Sequence, residues 1–199
     1  MITVINYRMG NLRSVAKALE LSGRSVSVSS APEDILRADS VVLPGVGAFS
    51  TGMKNLEELG LIPAIIETVK KGRPFLGICL GMQLMFEKSR EGAKCPGIGL
   101  LKGEVKRFDS RLRVPHVGWN TVRTVRSSSL FQEILDGSHF YFVHSYYAQP
   151  CDRKIILGTT QYGIEFASAI QKDNIFLTQF HPEKSHEKGL RLLSNFCSL

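Results

Sequence analysis

Cys79 stands in Gly77-Ile78-Cys79-Leu80-Gly81, a cysteine with a glycine two residues away on each side, directly after the apolar run Phe75 to Ile78. At a strand-to-helix junction, G-x-C-x-G is the thiol form of a nucleophile elbow. The chain doubles back so sharply that only small neighbours fit, and the strained turn lifts the nucleophile out of the sheet edge. A helix begun in Leu80-Gly81-Met82-Gln83-Leu84-Met85-Phe86 would turn the positive end of its dipole toward Cys79 and favour the thiolate. Its first N–H groups, Leu80's among them, would point at an oxyanion forming on an attacked carbonyl. The plainer alternative is a small buried hydrophobe, which is what most cysteines in strands are, so a partner base has to decide.

That base is offered by His181-Pro182-Glu183, which follows the apolar run Ile175 to Phe180. Residues two apart in extended chain project to one side, so the Glu183 carboxylate can reach the His181 imidazole, and Pro182 keeps His181 out of the helical region. Cys79, His181 and Glu183 then make a nucleophile, a base and an orienter, the set that acyl transfer requires. Taken singly, His181 could be a satisfied structural imidazole and Glu183 an exposed acid leading a helix. Both motifs lie at the C-terminal ends of expected strands, where open α/β sheets place their sites. A third such turn, Pro44-Gly45-Val46-Gly47, offers N–H groups from Val46 or Gly47 as a second oxyanion donor. Its two glycines would also let a peptide flip between states; read locally, it is equally a simple tight turn.

Positioning these residues calls for a parallel sheet wrapped by helices, and the first half of the chain alternates accordingly. Strands are expected at Ile2 to Asn6, Val26 to Ser29, Ser40 to Leu43 and Phe75 to Ile78, and helices at Asn11 to Leu21 and Leu61 to Lys71. The second half predicts strands at Glu104 to Phe108, Phe140 to Tyr147, Ile155 to Gln161, Phe166 to Gln171 and Ile175 to Phe180, closed by a helix from about Glu187 to Phe196. The expectation is a single α/β domain over residues 1–199, with a mostly parallel central sheet, flanking helices and an antiparallel or mixed extension.

Composition narrows the function classes. With 199 residues, 43% of them hydrophobic, one sizeable core is expected. No apolar stretch is long enough for a membrane span and the N-terminus lacks a secretory pattern, so the chain reads as soluble and cytoplasmic, with no membrane partner. Cys79, Cys95, Cys151 and Cys197 form no close metal or redox pairs and are expected as free thiols; neither a metal nor an organic cofactor is expected. The net charge of +7 would permit nucleic-acid binding, but Lys and Arg are scattered without interleaved aromatics, so a solvated basic surface is expected and no nucleic acid.

The elbow Gly77-Ile78-Cys79-Leu80-Gly81-Met82-Gln83 together with His181-Pro182-Glu183 resembles the class I (triad) glutamine amidotransferases. Further matches are Met9 to Val15, Pro44 to Phe49, Pro115-His116-Val117-Gly118-Trp119-Asn120, Phe142 to Tyr147 and His181 to Ser185. Together they are similar to one branch of that family, the glutaminase subunits of imidazole glycerol phosphate synthases in histidine biosynthesis.

The resemblance implies that Cys79 attacks the side-chain amide of L-glutamine, with Gln83 and the backbones around Gly47, Ser145 and Tyr146 holding that substrate. It implies a heterodimer with a cyclase subunit, a (β/α)8 barrel that receives ammonia through a channel, with Asn11, Trp119 and Lys184 at or near the interface. The sequence departs from the pattern at Asn6-Tyr7-Arg8, where an acid-tyrosine-glycine sequence is common, and at His186, where a glutamine is usual. An amidotransferase subunit serving another acceptor, or a thiol hydrolase or peptidase, are the alternative readings.

Overall fold

Strands whose four residues are all buried need no alternation of polar and apolar positions, because both faces are covered. β1 (Ile2–Ile5) is of this kind and leads into helix α1 (Leu12–Glu20), whose first turn is capped by Asn11 accepting from the Ser14 N–H. The computed structural model, which describes residues 1–92 and 95–199, continues with β2 (Val26–Ser29), α2 (Pro32–Arg37), β3 (Ser40–Leu43), α3 (Phe49–Glu58), α4 (Leu61–Lys70) and β4 (Phe75–Ile78). After the elbow come α5 (Leu80–Leu84), β5 (Phe86–Ser89), β6 (Cys95–Pro96), β7 (Leu101–Arg107), β8 (His116–Thr124), β9 (Ser138–His144) and β10 (Tyr146–Pro150). The last elements are β11 (Ile156–Tyr162), β12 (Ile164–Lys172), β13 (Ile175–Thr178) and α6 (His186–Cys197).

Nine strands form one sheet in the order β2-β1-β3-β4-β13-β12-β11-β8-β9. The four pairs from β2 to β13 are parallel and the four from β13 to β9 antiparallel, so the sheet is mixed: the expected parallel part and its antiparallel extension are equal in pairs. Apolar residues on its two faces build two cores. Leu76 and Ile78 pack with Val15 and Leu19 of α1 and Leu192 and Phe196 of α6, whereas Phe75 and Leu177 face the layer that contains α3 and α4.

Three expectations require correction. The run Phe140 to Tyr147 is two strands, β9 and β10, because the chain leaves the main sheet at Ser145 and enters a separate four-stranded sheet of order β10-β7-β5-β6. The elbow helix is only five residues long and passes at once into β5, so its dipole is short. The strand expected to end at Phe180 ends at Thr178. Helices α2 and α3 and strands β5, β6 and β8 are additional to the expected elements.

Candidate active site

The glycines of the elbow are required by contact. A Cβ at Gly81 would lie 1.9 Å from the Leu43 carbonyl oxygen of β3, and one at Gly77 would lie 2.7 Å from Leu177 Cδ2 and 2.9 Å from the Gly81 carbonyl oxygen. All three distances are below contact, so the helix start can lie this close to β3 only without a side chain. Between them Cys79 holds φ 53° and ψ −105°, a strained conformation for a residue with a Cβ. Its N–H donates to Thr178 O of the adjacent parallel strand at 2.7 Å. The strand that anchors the cysteine is therefore the one that carries, three residues on, the histidine.

His181 leaves β13 in extended conformation, φ −100° and ψ 96°. It is held by its own N–H donating to Tyr141 O (2.9 Å) and by its carbonyl accepting from Ser185 Oγ (2.6 Å). Its Nδ1 lies 2.8 Å from Glu183 Oε1, both side chains being buried. A carboxylate only accepts, so Nδ1 carries a proton, while Nε2 is buried without a hydrogen-bond partner. Burial by itself would lower the imidazole, but the adjacent Cys79 sulfur and the Glu183 carboxylate outweigh it and raise His181 to about 10. The sulfur has two further neighbours, Gln179 Nε2 at 3.6 Å and Val143 O at 3.9 Å.

The Cys79 thiol opens on a cavity of about 340 Å³ lined also by Val46, Gly47, Leu80, Gln83, Ser145 and Tyr146, and by Glu91, Pro115, Val143 and His144. All four residues expected to hold a substrate thus border the same space as the thiol. The amide nitrogen of Gln83 donates to Tyr146 O (2.9 Å) and to Gln179 Oε1 (3.0 Å), which leaves its Oε1 as the atom free to accept from a ligand. The turn Pro44–Gly47 borders the elbow, with Gly47 at φ 116°. There the Gly45 carbonyl accepts the Leu80 N–H at 3.3 Å. Because C=O and N–H of one trans peptide point in opposite directions, the Val46 N–H faces away from the elbow.

The residues expected at a partner face form a surface patch in part. Trp119 is 46% exposed and stacks on His186, with ring centroids 5.1 Å apart and planes 3° from parallel. The Lys184 ammonium sits 5.7 Å over the Tyr141 ring, and that ring meets Trp119 edge-on. Asn11 is exposed at the start of α1, and α1 packs against α6 and the 182–184 turn. Both departures from the expected pattern, Arg8 (φ 65°) and His186 (φ 48°), occupy left-handed backbone; at Arg8 the expected glycine would do so without strain. Arg8 is steadied there by its N–H to Asn6 Oδ1 (3.1 Å) and by an ion pair with Glu58 (3.0 Å).

Gln179 and Glu91 were not singled out from sequence. Gln179 lies two residues before His181, a spacing that puts both on one side of extended chain and could have marked it. Glu91, whose carboxylate accepts the Phe49 N–H at 2.7 Å, had no local signal.

The profile described as glutamine amidotransferase class-I matches residues 3–198. The chain belongs to the class-I glutamine amidotransferase family. Among curated members, the chain is 52% identical over 198 residues to imidazole glycerol phosphate synthase subunit HisH of Moorella thermoacetica, covering 100% of this chain and 94% of that protein. It is 49% identical over 203 residues to subunit HisH 1 of the same enzyme from Methanococcus maripaludis, covering all of both. A solved structure described as a glutamine amidotransferase superposes with a TM-score of 0.78 at 18% identity, covering 100% of each chain, which establishes the shared fold. Cys79 lines one cavity with Gln83, Ser145 and Tyr146, and the buried His181–Glu183 pair adjoins its sulfur.

Proposed function

We propose that this chain is the glutamine-hydrolysing subunit of an imidazole glycerol phosphate synthase, using Cys79 as nucleophile and passing ammonia to a cyclase subunit. The observation that carries the reading is the buried His181–Glu183 pair beside Cys79, whose thiol lines a cavity shared with Gln83 and Tyr146. The full-length similarity to HisH subunits supports the acceptor.

In the proposed cycle the Cys79 thiolate attacks the amide carbon of glutamine and its carbonyl becomes an oxyanion. The His181 imidazolium protonates the nitrogen as the C–N bond breaks, so ammonia leaves and a γ-glutamyl thioester remains. Water then attacks the thioester with its proton passing to His181, releasing glutamate and restoring the thiol and imidazole. The oxyanion needs donors, yet the Leu80 N–H is engaged by Gly45 O and the Val46 N–H is turned away. A rotation of the Gly45–Val46 peptide would remove the carbonyl and supply both N–H groups. The resting arrangement therefore holds glutamine hydrolysis down, and partner binding shifts the turn to the competent state. Asn11, Trp119 and Lys184 belong to the face the partner covers.

The test is ammonia transfer. Supplied with a cyclase, its nucleotide substrate and glutamine, the wild-type subunit should form product at many times the rate at which it hydrolyses glutamine alone. Cys79→Ser should lose glutamine-dependent product and keep the cyclase reaction with added ammonium salt. Glutamine use by Cys79→Ser would remove the cysteine from its role, and equal glutaminase rates with and without cyclase would remove the switch. Brisk glutamine hydrolysis that never feeds the cyclase would assign the subunit to another acceptor.

A further inference from the structure

At the Ser145–Tyr146 wall two histidines that the proposed cycle does not use lie side by side, His144 itself lining the cavity. His116 opens β8 and His144 closes β9, directly opposite each other in the antiparallel register. Both are buried. The His116 ring is stacked between Tyr162 (4.0 Å, 23° between planes) and Phe142 (4.9 Å, 25°), while His144 lies against Phe108 (5.4 Å) and Phe166 (5.3 Å). Packed in this way, neither ring has room to turn over freely.

Each contact along this line permits only one direction. His144 Nδ1 is 2.8 Å from Tyr146 O, and a carbonyl only accepts, so that nitrogen carries the proton. In a neutral ring His144 Nε2 is then a bare acceptor, and at 3.0 Å it must receive its hydrogen bond from His116 Nδ1. His116 Nε2 is left as an acceptor in turn, and at 3.2 Å it meets Asn120 Nδ2. The Asn120 amide cannot be reversed without loss, since Nδ2 also donates to Gln161 O (3.0 Å) while Oδ1 accepts the Thr121 N–H (2.8 Å). Polarity is thus set at Asn120 and transmitted through two rings to the Tyr146 carbonyl, which also accepts from Gln83.

We infer that Asn120, His116 and His144 form a one-way hydrogen-bonded chain that positions the Tyr146 carbonyl, and through it Gln83, in the glutamine pocket. The inference rests on the glutaminase reading for its substrate but on geometry alone for the chain. Burial, which lowers His116 to about 4 and His144 to about 3, agrees with both rings being neutral. The three are positioning residues: Asn120 and His116 act only through His144. Asn120 adjoins the exposed Trp119, so the line runs from the edge of the expected partner face to the pocket wall.

The first measurement needs no variant. Nitrogen-15 spectra of the ring nitrogens in the wild-type chain, over about pH 5.5 to 8 where a free imidazole titrates, should show two of the five histidines neutral throughout, with the proton on Nδ1. Two rings protonated on Nε2, or titrating like free imidazole, would overturn the chain. Kinetics supply the second measurement. In complex with the cyclase, Asn120→Ala should raise the KM for glutamine about fivefold, the weight of one hydrogen bond, with kcat within twofold, because the triad is untouched. An unchanged KM, or a fall in kcat alone, would show that the line is merely structural. If wild type failed to use glutamine at all, the functional reading would fall while the ring spectra would still decide the chain.

Discussion

Acid should destabilise this protein well before its carboxylates titrate. At pH 7 the imidazoles of His116 and His144 are neutral in the folded and the unfolded chain. Below about 6.5 the unfolded chain binds protons there, whereas the folded rings, held by burial at about 4 and about 3, do not. The unfolded state then binds more protons, so stability falls with pH by about 1.4 kcal/mol per unit for each ring. From pH 7 to pH 5 this amounts to about 2 kcal/mol per ring and about 4 kcal/mol for both, a large part of the 5 to 15 kcal/mol typical of a whole domain, roughly speaking.

His181 acts in the opposite sense. Its folded value is raised to about 10, so its contribution is complete below about 6.5 and is lost as pH climbs toward 10. Asp109, held near 2 by the Arg111 guanidinium and backbone, matters only at lower pH and is exposed. The slope between pH 6.5 and 5 therefore belongs to the buried pair. Urea unfolding followed by circular dichroism at several pH values should show the midpoint falling by about 2 M at constant m. His144→Gln should remove about half the slope. A midpoint that stays level from pH 7 to 5, or an undiminished slope in that variant, would refute the argument.

Gly81→Ala forces a methyl group into the Leu43 carbonyl of β3, a strand paired on both sides and unable to move aside. It should destabilise the fold by about 3 kcal/mol, read as a Tm lower by roughly 6 to 12 °C; a Tm within about two degrees of wild type would mean that the elbow has slack. Glu183→Gln removes the charge that steadies His181 Nδ1–H, and should lower kcat for glutamine about a hundredfold with little change in KM. A kcat within about threefold of wild type would show that the carboxylate is not needed to orient the base.

How much was legible in the sequence follows from what each element depends on. β3 and β4 carry four buried residues each, so a short apolar run between turn signals marked them to the residue. α3 begins Phe49-Ser50-Thr51-Gly52 with no side-chain cap and no acid in its first turn, and local signals said nothing. The switch of sheets at Ser145 lies inside the run Phe142 to Tyr147, which has no glycine or proline to mark a break. The site shows the same division. Cys79, His181 and Glu183 sit in short motifs whose geometry is local. The line through Asn120, His116 and His144 exists only because of the β8–β9 register, a pairing across 28 residues that no local pattern reports.

The placement of β13 has one more consequence. It follows every other strand in the sequence, yet it lies in the middle of the sheet, between β4 and β12, and it holds both the anchor of Cys79 and the root of His181. A chain still being synthesised can pair β1 to β4 but has no base beside its thiol, and its β4 edge is open. On the proposed roles, an unfinished chain would carry an ordinary cysteine until the sheet is closed, and a chain broken off before β13 would be inert and prone to stick to others through the bare edge.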